Sequence, residues 1–160
     1  MNDSAPKKPH AVTAWTYRLV PKLPKSMRPK NMIILHHTGR RSGQPRTAGL
    51  QQIYHDSDSG RYFVASAYGP TSDWWRNTVA NPQVTIEVDG RLIEVVAAPV
   101  DSEEAAVVME VAMEENPRLR NQAFKHAGVA VSDPDGITKV LAANPLMSFQ
   151  VAQPDHRSRP

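Results

Sequence analysis

Apolar positions along the chain change their rhythm twice. Near the start, in AVTAWTYRLV, Val12, Trp15 and Leu19 fall at i, i+3 and i+7, which predicts a short amphipathic helix ended by Pro21 and Pro24. From Asn31 the rhythm is that of strands. MIILHH reads as a buried strand, RTAGLQQIYH as a second and RYFVASAY as a third, rich in aromatic and β-branched residues. QVTIEV alternates cleanly, with Val84, Ile86 and Val88 on one face, and RLIEVVAAPV resumes after Asp89-Gly90. Two runs joined by Asp-Gly predict a hairpin.

Helices are inserted late. A Ser/Asp start and a Pro stop bound a short helix over 72–80. Asp101 with two following acids opens another, with Val108, Met109, Ala112 and Met113 on its apolar face. Asn116-Pro117 breaks it, and a further helix runs near 118–127. A turn at SDPDG leads to a short stretch ending at Ala143, and PLMSFQVAQP reads as a closing strand. About six strands joined by short turns, without alternating long helices, predict a mainly-β α+β fold. Its form is an antiparallel sheet rolled into a small barrel. Residues 1–30 form a basic leader, 31–153 the barrel domain, and 154–160 a disordered tail; 24–30 are a linker.

Composition narrows the chemistry. There are 160 residues, enough for one domain with a real core. None is cysteine, which excludes disulfides, thiolate metal sites and thiol catalysis. No apolar run is long enough to span a membrane and no secretory signal is visible, so a cytoplasmic location is the expectation. Charge is uneven. Seven basic residues against one acid give residues 1–30 a formal +6, while twelve against fifteen leave the remainder at −3. Such an arm suits an anionic surface, either lipid headgroups in peripheral membrane contact or nucleic acid; a solvated tail is the plainer alternative. Nucleic acid is disfavoured, because no repeated aromatic platform interleaves the basic residues.

Three segments carry candidate chemistry. In the turn Thr38-Gly39-Arg40-Arg41-Ser42-Gly43-Gln44-Pro45-Arg46, three arginines lie close together with no acid. Its glycines let backbone N–H groups converge, and arginine forks suit phosphate and carboxylate. The turn is an anion cradle or an exposed basic hairpin tip. Neither a Walker nor a Rossmann spacing is present. In Trp74-Trp75-Arg76-Asn77, adjacent indoles cannot share a helix face, so one packs inward and the other faces ligand or solvent. Ala65-Ser66-Ala67-Tyr68-Gly69 is a shelf of small residues for a flat ligand, or a tight barrel corner. His36 and His37, adjacent on a strand, point to opposite faces and cannot chelate one metal; no metal site is expected. Glu87 and Glu94 read as outward strand positions. With no nucleophile, acid–base dyad or metal, any enzymatic chemistry falls to a cofactor.

The run ILHHTGRRSGQPRTAGL, then RYFVASAYG, then DWWRNTVANPQVTIEV, resembles the deazaflavin-dependent nitroreductase family over about residues 30–100. The resemblance implies a split β-barrel, an FMN-binding-like antiparallel Greek-key barrel with short helices. It implies hydride transfer from reduced coenzyme F-420 to a small electron-poor acceptor such as a quinone, enone or nitro compound, with FMN as the second cofactor candidate. Under it, Arg40, Arg41, Ser42, Gly43, Gln44, Pro45 and Arg46 hold the coenzyme's phosphate and glutamyl tail. Ala65, Ser66 and Ala67 border the ring, and Trp74, Trp75, Arg76 and Asn77 close the site. Ser66 and Tyr68 are the catalytic candidates, bonding and orienting the acceptor. Two features depart from the pattern. Ala67 stands where many members have lysine, with Arg76 as a substitute. The pocket tyrosines of the nitroimidazole-activating branch are absent from 113–131, where Phe124, Lys125 and His126 are the nearest candidates. A non-catalytic barrel carrier of F-420, FMN or a fatty acid is the alternative.

Overall fold

The computed structural model describes residues 19–152. The expected amphipathic helix ahead of Leu19 and the expected disorder of the tail from 154 lie outside the described residues.

Six antiparallel strands close into a barrel in the order β1-β2-β3-β6-β5-β4. They are β1 (Met32–Thr38), β2 (Pro45–Asp56), β3 (Arg61–Ala65), β4 (Gln83–Val88), β5 (Arg91–Pro99) and β6 (Leu146–Val151). The β4–β5 hairpin forms where Asp-Gly predicts it, with Asp89 and Gly90 both at positive φ (48° and 79°). That pair of left-handed residues matches the twist of the strands it joins. Strand β3 stops at Ala65, so Ser66–Gly69 forms a turn rather than the strand end expected from the sequence.

Pleating sorts the side chains into two cores. Ile33, Leu35, Leu50, Val64, Ile86, Val95, Met147 and Phe149 fill the barrel. Phe63 and Leu146 face the opposite way and meet the helices α2 (Ser102–Glu115), α3 (Pro117–Ala127) and α4 (Gly136–Ala143). Helix α2 starts as expected, with the Asp101 carboxylate accepting from the backbone N–H of Glu103 and Glu104. Asn116 ends α2 and its side chain accepts from Leu119 N–H, with Pro117 in the first turn, so one Asn-Pro pair both breaks and restarts the helix. The stretch before Ala143 is a full helix, α4. Gly136 lies so close to the Phe124 ring that a β-carbon there would collide with it.

Antiparallel closure sets the position of everything else. The β1–β2 turn, the exit of β3, the entry of β4 and the start of β6 all lie at one end of the barrel. Helix α1 (Asp73–Ala80), which links β3 to β4, caps that end.

Residues 24–30 are more than a linker. Arg28 Nη1 donates to Glu87 Oε1 at 2.9 Å, and its Nε and Nη2 donate to the Leu23 and Pro21 carbonyls. Val20 is buried, and Lys25 Nζ donates to the Gly90 carbonyl. Glu87, expected to face outward, is therefore covered by the segment before β1.

Candidate functional site

The arginine turn folds through its own backbone. Gly39 N–H donates to the Gln44 carbonyl at 2.9 Å and Gly43 N–H to the Gly39 carbonyl at 2.8 Å. Gly43 adopts φ 65°, and the Ser42 hydroxyl accepts from Gln44 N–H. The turn docks on α1 through one residue. Asn77 Oδ1, buried, accepts from both the backbone N–H and the Nη1 of Arg40, at 3.0 and 2.9 Å. Arg40 Nη1 also pairs with Asp73, at 3.1 Å. Arg40 is thus a fastener between turn and helix. Arg41 and Arg46 are exposed and have no ion-pair partner among the described residues. Arg76 is exposed on α1.

The two tryptophans divide as expected. Trp75 is buried against the barrel core, while Trp74 is half-buried beside it, their rings 5.6 Å apart edge to face. The indoles seat α1 on the barrel mouth, and the Thr78 hydroxyl donates to the Trp74 carbonyl.

The small-residue segment meets the other end of α1. Ser66 is 1% exposed, and its hydroxyl donates to the Gly69 carbonyl at 2.7 Å. The Ser72 hydroxyl also reaches Gly69 and lies 3.2 Å from Ser66 Oγ. Ser72 consequently occupies the N-cap position of α1 without capping it. The expectation that Ser66 bonds an acceptor's oxygen meets an obstacle: its hydrogen is committed inside the turn. Ala67 is exposed, and Tyr68 is half-buried.

Sequence reasoning missed two contacts at this end. His126 Nε2 donates to the Ala67 carbonyl at 3.1 Å, which ties α3 to the small-residue turn. His37 lies inside the mouth, its Nδ1 3.3 Å from Asn77 Nδ2. Burial, with Arg46 and His36 adding positive charge nearby, lowers the His37 pKa from 6.5 to about 4. The ring is therefore neutral at pH 7. A cleft of about 380 Å³ lies where β1, β2 and β4 meet at this end, lined by His36, Thr38, Thr47 and Thr85 among others, and the register puts those threonine side chains on the face of His36 rather than that of His37. Strand alternation does place the histidines on opposite faces. His36 turns outward, 3.9 Å from Glu87.

The three candidate segments thus share one end of the barrel, joined through α1. The donor set fits a deazaflavin coenzyme with an anionic tail. Exposed Arg41 and Arg46 supply guanidinium groups for such a tail, and half-buried Trp74 supplies an indole at the same end of the barrel. Among the described residues no group of three His, Cys, Asp or Glu could hold a metal ion, and no helix is long and apolar enough to cross a membrane.

A sequence model of the F420H(2)-dependent quinone reductase family matches residues 11–132. The chain belongs to this family. A Mycobacterium tuberculosis quinone reductase named for the same cofactor dependence is 37% identical over 71 residues, 42% of this chain and 46% of the relative. The matched stretch therefore spans about half the length of that curated relative. Among solved structures, an F420-H2 dependent reductase superposes with a TM-score of 0.52 at 19% identity, covering 75% of this chain and 94% of that one. A chain solved as a domain-swapped dimer gives 0.53 at 18% identity, covering 87% and 96%. These superpositions show that the split barrel is the fold of this family member. The resemblance read from the TGR-x-SGQPR and W-x-x-N-x-x-ANP motifs is borne out at the level of family and fold.

Proposed function

We propose that this protein is an oxidoreductase that transfers a hydride from reduced coenzyme F-420 to a quinone-type acceptor. The observation that carries the reading is the arginine turn. It presents Arg41 and Arg46 without acidic partners among the described residues, on a hairpin fastened to α1 by Arg40 and Asn77. Arginine left unpaired on an ordered turn suits a phosphate or carboxylate ligand, and guanidinium forks bind either bidentately.

When bound, the reduced deazaflavin supplies a hydride from its C5. The chain's own residues bind and orient. Arg41 and Arg46 hold the anionic tail, with Ser42, Gly43, Gln44 and Pro45 shaping the turn that carries them. Ala65 and Ala67 leave space for the ring, and Trp74 walls it. Trp75 and Asn77 fix α1, and Arg76 supplies positive charge where Ala67 carries none. Ser66 locks the turn rather than touching the acceptor. The proton that accompanies the hydride comes from solvent or from the Tyr68 hydroxyl. Enones and nitro compounds are further acceptors of the same electron-poor kind. Exposed Lys22 and Lys30 leave the leader with charge for peripheral contact with anionic lipid, a natural meeting place for a lipophilic quinone.

The test is fluorescence titration with oxidised F-420 and with FMN at two salt concentrations, followed by assay with reduced F-420 and a soluble quinone. F-420-selective, salt-sensitive binding with turnover is expected. FMN selectivity would overturn the cofactor assignment. Binding without turnover of any acceptor would make the protein a carrier on the same barrel, and binding of neither would sink the enzymatic reading.

A further inference from the structure

Asn77 carries the buried contact between the arginine turn and α1, and its amide has two ends. Its Oδ1 accepts from the backbone N–H and from Nη1 of Arg40, both of which only donate, so the oxygen faces the turn. Its Nδ2 then faces His37 Nδ1 at 3.3 Å, and an amide nitrogen only donates. Nδ1 must therefore accept, and the proton of the neutral ring sits on Nε2. Both residues are buried, so a donor facing a donor there would be left unsatisfied. A chain of directed bonds thus runs from His37 on β1 through Asn77 on α1 to Arg40 on the turn. It works in one protonation state. A proton on Nδ1 would face the amide N–H groups, and turning the amide over to meet it would aim those groups at the two donors of Arg40.

We propose that His37 is a positioning residue for the arginine turn: as a neutral acceptor it holds the Asn77 amide in the one orientation that receives Arg40. The charges around the ring agree with that role. His36 adjoins it on β1, Arg46 lies opposite it on β2 and Arg40 reaches the same Asn77, while Asp73 on α1 favours a charged ring. Glu87 on β4 pairs with Ile34, on the other face of the sheet. Docking of the turn and protonation of His37 are consequently opposed, and a proton taken up loosens the turn. The proposal deepens the functional reading and rests on it for one point, that the docked turn is what the coenzyme's anionic tail meets.

The experiment is amide hydrogen exchange of the full chain between about pH 7 and 5, read by NMR at Arg40 and at the barrel-core residues Ile86 and Phe149. The variants are H37F, which fills the space without an acceptor, and H37N, which is smaller but sets an oxygen where Nδ1 stood. H37F should speed Arg40 exchange roughly tenfold at neutral pH, the loss expected of a buried donor without its acceptor, and leave the core amides unmoved. H37N should stay within about threefold of the parent protein. If His37 only filled space, that order would be reversed. In the parent, Arg40 exchange corrected for its intrinsic rate should rise as pH falls below about 6.5, by at most about tenfold per pH unit. H37N should lose that slope. N77D presents an oxygen on both sides, so proton uptake by His37 should then tighten the turn and reverse the slope.

Fluorescence titration of the same variants with oxidised F-420 separates this proposal from the functional reading. Binding about tenfold weaker in H37F and largely restored in H37N is expected. Arg40 exchange that is equal in H37F and the parent would overturn the proposal, even if the parent binds F-420 and leaves the functional reading standing. So would a faster exchange shared equally by the core amides, or H37N loosening the turn more than H37F. An H37F turn that opens more readily yet binds F-420 as the parent does would overturn the link to the coenzyme. If the parent binds no F-420 while the exchange order and the pH slope hold, the functional reading falls and His37 keeps its positioning role.

Discussion

Arginines on the flank and at the mouth of the barrel live in different surroundings. Arg28 is 18% exposed and directs all its hydrogen bonds to Glu87 and two carbonyls. Arg61 bonds Glu104 and the Ser148 hydroxyl while its guanidinium lies 4.9 Å over the Phe63 ring. Both fasten one part of the chain to another. At the mouth, Arg40 does the same for the arginine turn, but Arg41 and Arg46 have no carboxylate partner among the described residues. Acids thus neutralise Arg28, Arg40 and Arg61, while Arg41 and Arg46 on the turn and Arg76 on α1 have no ion-pair partner among the described residues. In this barrel the paired arginines act as joints, and it is the clustering of Arg41, Arg46 and Arg76 at one end, away from acids, that sets the mouth apart.

That contrast can be broken most forcefully by removing the seat of α1. Trp75→Ala should destabilise the protein by about 3–5 kcal/mol, as large-to-small changes in a packed core do. Thermal or denaturant unfolding measures this, and a change below 1 kcal/mol would mean α1 is not anchored by that ring. Next is acid. Because the folded pKa of His37 lies below its unfolded value, the unfolded state binds the proton more readily between about pH 6.5 and 4. The stability associated with the neutral ring is complete above that window and lost as pH falls through it, by at most about 3 kcal/mol. His37→Gln should flatten this part of the pH–stability curve.

Arg41→Ala with Arg46→Ala should weaken F-420 binding roughly 100-fold, from two charge-assisted contacts, and leave the unfolding midpoint within a degree or two. An unaltered affinity would show that the unpaired arginines are only solvated. Glu104→Ala should behave oppositely. It leaves Arg61 partly buried without its carboxylate and should cost about 1–2 kcal/mol of stability, with coenzyme affinity unchanged. If the double arginine change and Glu104→Ala moved affinity and stability alike, the division between joint and ligand site would fail.

Much of the fold was legible because its signals are local. The alternation in Val84, Ile86 and Val88, the Asp89-Gly90 turn, and the Asp101 and Asn116 boundaries each act within a few residues. What escaped depends on partners far along the chain. Glu87 reads as an outward position because nothing near it says that Arg28, 59 residues earlier, will cover it. Ser66 reads as an available hydroxyl because the carbonyl that takes its hydrogen, that of Gly69, faces it only once the turn has formed. The pairing of His37 with Asn77 spans 40 residues, and periodicity assigns a histidine to a face without revealing which nitrogen will carry its proton. Helix α4 gives no clear signal in the sequence because eight residues make too few turns for a distinct period, and its packing on α2 and α3 holds it. The site's three segments were each visible in the sequence. Their meeting was implied by the resemblance and follows physically from antiparallel closure.

The order in which the barrel closes has a consequence for its synthesis. Strand β6 joins β3 to β5, with three helices between β5 and itself in the chain. Until residue 151 has left the ribosome, β3 and β5 both present unpaired backbone edges, the kind that recruit other extended chains. The nascent protein is therefore most prone to aggregate just before its last described strand arrives. A mutation in β6 that slows docking, such as a charge at Met147 or Phe149, should show its harm first as lost soluble yield rather than as lost activity of the molecules that do fold.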